Sequence, residues 1–218
     1  LSRRGKYLLF RLEGGLALIV HLKMTGALLL KAPGTAPDRY TRALFRFENG
    51  PELHFADPRK FGDLWLVADE AEVVGKLGPE PWDITSNALA QRLARRKAPL
   101  KPLLLDQSFL AGVGNIYADE ALFRAGLHPE RAAKSLSAAE TERLCEAIRQ
   151  VLSDGVTHRG TSLSDAEYRD TRGEKGEHQG HVAVFRRQGR ACPRCGAPVE
   201  RMRLAGRSTH YCPTCQQM

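Results

Sequence analysis

Apolar positions along residues 1–67 come in short runs with a period near two. The runs fall at 7–12, 16–22, 27–31, 43–48, 52–55 and 63–67, and each is short enough to read as a β-strand. Glu13-Gly14-Gly15 and Asn49-Gly50 break the pattern as turns, the second predicting a hairpin because both residues tolerate positive φ. Six short strands imply a sandwich or barrel rather than a parallel sheet. Gly78-Pro79-Glu80-Pro81 continues neither a strand nor a helix, so a domain boundary is expected there.

Beyond it the period becomes helical. In 86–97, Leu89 and Leu93 share one face while Arg92, Arg95 and Arg96 take the other. Residues 116–125 read as a compact helix that Gly126 can end in the left-handed conformation. Ser137 and Glu140 form a capping box opening a helix with Leu144, Ile148, Val151 and Leu152 inward. Cys145 lies beside that stripe as a small buried apolar residue. Residues 157–190 are rich in Gly, Arg, Glu and His with little periodicity, and a stretch so long inside a compact protein is usually functional or mobile.

Composition narrows the partners. The chain has 218 residues, 42% apolar and 27% charged, with a net charge of +8 and a pI near 9.5. That balance favours a polyanion. No apolar run reaches the ~20 residues of a membrane span, and the start carries no signal-peptide core, so a cytoplasmic protein with no membrane partner is expected.

Four of the five cysteines crowd into the last 27 residues. Cys192-Pro-Arg-Cys195 and Cys212-Pro-Thr-Cys215 are two C-x2-C pairs joined through a hairpin turning at Ala205-Gly206-Arg207. Two intervening residues aim both sulfurs at one ion, and four thiolates fill the tetrahedron of a single structural zinc ion, leaving no open catalytic position. His178 and His181 are expected on a solvated loop rather than at a second metal.

Several segments together resemble the bacterial formamidopyrimidine-DNA glycosylase family. They are Arg3-Arg4-Gly5-Lys6-Tyr7-Leu8-Leu9, His21-Leu22-Lys23-Met24-Thr25-Gly26, Asp57-Pro58-Arg59-Lys60-Phe61-Gly62, Leu77-Gly78-Pro79-Glu80-Pro81, Lys101-Pro102-Leu103-Leu104-Leu105-Asp106-Gln107 and Gly112-Val113-Gly114-Asn115-Ile116-Tyr117-Ala118-Asp119-Glu120, with the four-cysteine hairpin at the end. The resemblance implies an α+β multidomain fold. A β-sandwich, truncated at its start, would occupy 1–78, and a helix–two-turn–helix DNA-binding domain 79–160. A lesion-capping loop and linker would follow at 161–190, then a zinc finger at 191–218.

It also implies a function: base-excision repair of duplex DNA containing oxidised purines (8-oxoguanine, formamidopyrimidines) or abasic sites, by a monomer acting at the nucleoid. The damaged base is flipped out, a Schiff base forms, and β,δ-elimination cuts the strand. Met24, Arg59 and Phe61 match residues that fill the vacated stack. Lys6, Arg96, Lys101, Asn115 and Arg207 match phosphate-holding positions, and Tyr40 stands where the family often has a DNA-contacting His. Lys6 and Arg207 also match assigned proton donors. Lys60 replaces the second arginine of the family's usual Asp-Pro-Arg-Arg-Phe-Gly, and Ser164 sits where many members carry a basic residue, which leaves lesion preference open at the capping loop. The chain lacks roughly the first 50 residues of the family pattern and with them its Pro-Glu nucleophile, so residues 1–218 alone are expected to be inactive in base excision. A damaged-DNA-binding module is the competing reading. A zinc-ribbon protein of transcription or translation would explain the cysteines but not the Met24, Arg59 and Phe61 set.

Overall fold

The computed structural model describes residues 1–163 and 168–218. They form two compact units, 1–75 with 155–181 and 76–154 with 182–218. The change of unit near residue 75 lies close to the Gly78-Pro79 break. The stretch 161–190, expected as one linker, is divided between the units. Its first part joins the strands, where the Leu30 amide donates to Thr171 O at 2.8 Å. The zinc hairpin joins the helices.

In the first unit, β1 (Ser2–Arg4), β2 (Tyr7–Arg11), β3 (Ala17–His21) and β7 (Asp63–Val67) make one antiparallel sheet in the order β1-β2-β3-β7. A second sheet orders β4 (Ala27–Lys31), β6 (Glu52–Ala56) and β5 (Thr41–Arg46) as β4-β6-β5. Alternation explains the packing. Leu8, Val20 and Leu64 share a face with Phe10 and Leu18 and meet Leu28, Leu53 and Phe55 of the other sheet. Leu9, Ile19 and Trp65 point the opposite way, onto Val73 and Val74 around the short helix α1 (Ala71–Val74). Ile19 and Val20 are both 0% exposed, so this sheet is covered on both faces, each side chain contributing about 1.5–3 kcal/mol.

The Asn49-Gly50 hairpin forms, but differently from the expectation. Arg46 pairs with Glu52, leaving a five-residue loop in which neither Asn49 nor Gly50 takes a positive φ. A two-residue primed turn would have needed both.

In the second unit, α2 (Ser86–Ala94), α3 (Leu100–Leu105), α4 (Asn115–Ala125) and α5 (Ala138–Thr157) surround a core of Leu89, Leu93, Leu104, Leu110, Leu122 and Leu144. Thr85 caps α2 by accepting the Ala88 amide, and Gly126 ends α4 at φ 70. The Ser137–Glu140 box forms reciprocally, Ser137 N donating to Glu140 Oε2 at 2.8 Å and Glu140 N to Ser137 Oγ at 3.3 Å. The pattern had missed α3, which is only six residues long and carries Pro102. No helix among the described residues is long and apolar enough to cross a membrane.

Candidate nucleic-acid interface and zinc centre

Strand register gathers the predicted contacts of the first unit. Tyr7, His21 and Asp63 pair across β2, β3 and β7, so the loops holding Lys6, Met24 and Phe61 leave one end of that sheet. Ala27, Ala56 and Thr41 pair across β4, β6 and β5, so Met24, Arg59 and Tyr40 leave one end of the other. Met24 and Phe61 are 59% and 47% exposed, far from the core positions that a Met and a Phe ordinarily take. The Arg59 guanidinium lies 4.6 Å from the Phe61 ring centroid and donates to Met24 Sδ at 3.9 Å. The predicted trio is therefore one exposed cluster.

Asp57 builds the loop beneath it. The carboxylate is fully buried and accepts from Thr25 Oγ1 and from the amides of Arg59 and Gly62. Burial alone would raise its pKa; the Thr25 hydroxyl and the loop amides outweigh burial and hold it below the usual carboxylate range. Tyr40 accepts the Asp57 amide through its carbonyl and stacks under Arg39. His21 is a neighbour the sequence reading did not single out. Burial first, then the charges of Lys23 and Lys6, lower its pKa to about 4.

The expected loop histidines are not simply solvated. His178 is 4% exposed, and its Nδ1 lies 3.1 Å from His158 Nδ1, while the His158 and His181 rings stack at 3.7 Å. A buried position explains the difference for His178; His181 is exposed. Ser164 lies outside the described residues.

In the second unit, Asn115 is the first residue of α4, where unpaired amides favour an anion. Its Nδ2 donates to Ser208 O at 3.3 Å, and its Oδ1 is buried without a partner. Ser208 belongs to the zinc hairpin, β8 (Glu200–Leu204) and β9 (Arg207–Tyr211). Ala205 and Gly206 both take positive φ, 47° and 76°, as a two-residue primed turn demands. That turn puts the exposed Arg207 at the tip. Arg96 is also exposed, just beyond α2.

Lys101 departs from its predicted role. It is 1% exposed, its Nζ sits 2.6 Å from Asp119 Oδ1, and it donates to Ser208 O and Thr209 Oγ1. A buried, fully engaged ammonium is no surface phosphate ligand; it buttresses the hairpin instead. Asp119 Oδ2 accepts the His210 amide at 3.0 Å. Glu120, the next residue, accepts the amides of Ala183, Val184 and Phe185, while burial raises its pKa. Two adjacent buried acids among the apolar residues of α4 were the overlooked signal, because buried carboxylates must find donors.

At the base of the hairpin, opposite its tip, Cys192, Cys195, Cys212 and Cys215 bring their sulfurs within 4.8 Å of one another. The Cys192–Cys215 and Cys195–Cys212 separations are 4.0 and 3.5 Å, close to the ~3.8 Å edge of a tetrahedron with zinc–sulfur bonds near 2.3 Å. The donor set fits one structural zinc ion.

The first unit thus carries an exposed apolar and cationic cluster, and the second an anion-favouring helix start and a zinc hairpin tipped by arginine. Family models match throughout: the formamidopyrimidine-DNA glycosylase N-terminal domain at 1–64, its H2TH domain at 77–167, and the zinc finger found in FPG and IleRS at 189–217. The formamidopyrimidine-DNA glycosylase of Herpetosiphon aurantiacus is 51% identical over 99% of this chain and 80% of its own length. The crystal structure of the MutM (Fpg) protein from Thermus thermophilus superposes with a TM-score of 0.90 at 49% identity, covering 99% of this chain and 81% of that one. Lactococcus lactis Fpg in complex with DNA containing an abasic site gives 0.89 at 34% identity, covering 100% and 81%. The chain belongs to the formamidopyrimidine-DNA glycosylase family.

Proposed function

We propose that the protein excises oxidised purines, 8-oxoguanine and formamidopyrimidines, from duplex DNA at the nucleoid and cuts the resulting abasic site by β,δ-elimination. The observation that carries this reading is the exposed Met24–Arg59–Phe61 cluster. A glycosylase must take its base out of the stack, which leaves a gap that an apolar wedge and a cation can fill. Met24 and Phe61 supply the apolar surface, and Arg59, held between them, supplies donors for the base left unpaired. Asn115, Arg207, Arg96, Lys6 and Tyr40 contact the sugar–phosphate backbone, which fixes register without reading sequence. Lys6 and Arg207 assist the proton transfers of the eliminations. An amine of the enzyme replaces the base at C1′ of the damaged nucleotide, the C1′–O4′ bond then breaks with a proton delivered to O4′ to give the Schiff base, and loss of the 3′ and then the 5′ phosphate completes the cut.

The test is a duplex with one 8-oxoguanine, incubated with the enzyme carrying its native N-terminus and read by strand cleavage and borohydride trapping. Cleavage with a covalent adduct is expected. A protein that bound the duplex yet neither cut it nor was trapped would refute the chemistry. The expectation that residues 1–218 are inactive by themselves draws no support from relatives named as glycosylases. The same assay on that chain decides it, since cleavage would place the attacking amine within it.

A further inference from the structure

Beside Arg207 the second unit has a cleft of about 580 Å³ whose lining includes Asn115, Arg186, Arg201, Ser208 and His210. Three guanidiniums line it, and among the described residues no carboxylate does. Arg201 is partly committed, donating to Ser208 Oγ at 3.0 Å. Arg186 is exposed and takes φ 55, the left-handed region that a side chain with a Cβ adopts only under strain. Glycine would occupy that backbone freely. Such strain persists where surrounding structure enforces it, and it gathers at functional sites. The enforcement is visible: Glu120 holds the amides of the three preceding residues, 183–185, and Arg187 Nη1 donates to Val182 O on the other side. Lys23 and Lys60, which flank Met24 and Phe61, are left-handed non-glycine cations as well.

We infer that Arg186 is a further phosphate-binding residue, which clamps a backbone phosphate of the DNA strand held by Arg207 and Asn115. The inference rests on the DNA-binding reading above. A guanidinium suits a phosphate because its planar fork gives paired, charge-assisted hydrogen bonds. A cleft with three of them raises the local concentration of a polyanion.

Arg186→Gly separates this role from a structural one, because glycine relieves the strain while removing the charge. Binding of the zinc-loaded protein to a duplex with a tetrahydrofuran abasic analogue is measured by fluorescence anisotropy across a salt series, with melting temperature alongside. Arg186→Gly is expected to melt no lower than the parent and to bind about tenfold more weakly, as loss of one charge-assisted contact implies. Its salt slope should be shallower by about 0.9. Parental affinity and slope in Arg186→Gly, with Arg207→Ala weakened, would overturn the inference and leave the DNA-binding reading standing. A lower melting temperature accompanying the weaker binding would assign Arg186 to the scaffold and overturn it too. If the parent itself bound duplex without salt dependence, both readings would fall together.

Discussion

Lys101→Met removes an ammonium that touches three groups at once. In the folded protein it is paired with Asp119 Oδ1 at 2.6 Å and donates to Ser208 O at 2.8 Å and Thr209 Oγ1 at 2.9 Å. Methionine keeps most of the stem's volume, so the change is chiefly electrostatic. Asp119, 0% exposed, would retain the His210 amide on Oδ2 but lose the countercharge facing Oδ1. Leaving one member of a buried ion pair uncompensated typically costs about 3–5 kcal/mol, a large share of the roughly 5–15 kcal/mol that stabilises a domain. Burial already lowers the pKa of Lys101, Asp119 raises it, and the nearby charge of Arg207 lowers it further. The pair is therefore costly to form and costlier to break. Urea denaturation of the zinc-loaded variant should show that loss, and Lys101→Met/Asp119→Leu should regain part of it, because no charge is then stranded. A phosphate ligand would behave differently: stability within about 0.5 kcal/mol of the parent and a salt slope shallower by about 0.9. That second pattern would refute the buttress.

Two further outcomes follow from the geometry. Cys212→Ser, at a fully buried ligand, should release the zinc in a metal-content assay and weaken DNA binding by disordering the hairpin that presents Arg207; retention of both would contradict a structural site. The His21 ring should titrate near 4 rather than 6.5 when followed by NMR, and Lys23→Ala should move the midpoint upward. Because the folded state favours the neutral ring while the unfolded chain takes a proton from about pH 6.5, this group's contribution to stability declines as pH falls from there towards 4.

Much of the fold was legible in the chain. Period-two runs marked six of the strands, because each sheet buries at least one face, and the helical stripes of Leu89–Leu93 and Leu144–Ile148 marked helices on one core. The cysteine spacing marked the metal site outright. What escaped depends on tertiary partners. The short β1 has only Ser2, Arg3 and Arg4, with no apolar alternation to reveal it, and forms by pairing with β2. Lys101 read as a surface cation because nothing local shows that Asp119, on another helix, lies against it. Asp57 likewise gains its role from Thr25, far away in sequence. Arg186 carried no signal, since backbone strain is invisible until the chain is folded.

We propose that one end of the β-sandwich reads damage by filling a vacated stack. It is tested most directly by comparing affinities for an abasic-analogue duplex and its undamaged counterpart, for the parent, Met24→Ala and Phe61→Ala. Both side chains are exposed, so both variants should fold with parental melting temperatures. The parent should prefer the abasic duplex, and each truncation should lose roughly tenfold on that duplex alone, as expected for about 1–2 kcal/mol of buried apolar contact. Equal affinity of the parent for the two duplexes, or variants that kept the full preference, would contradict it.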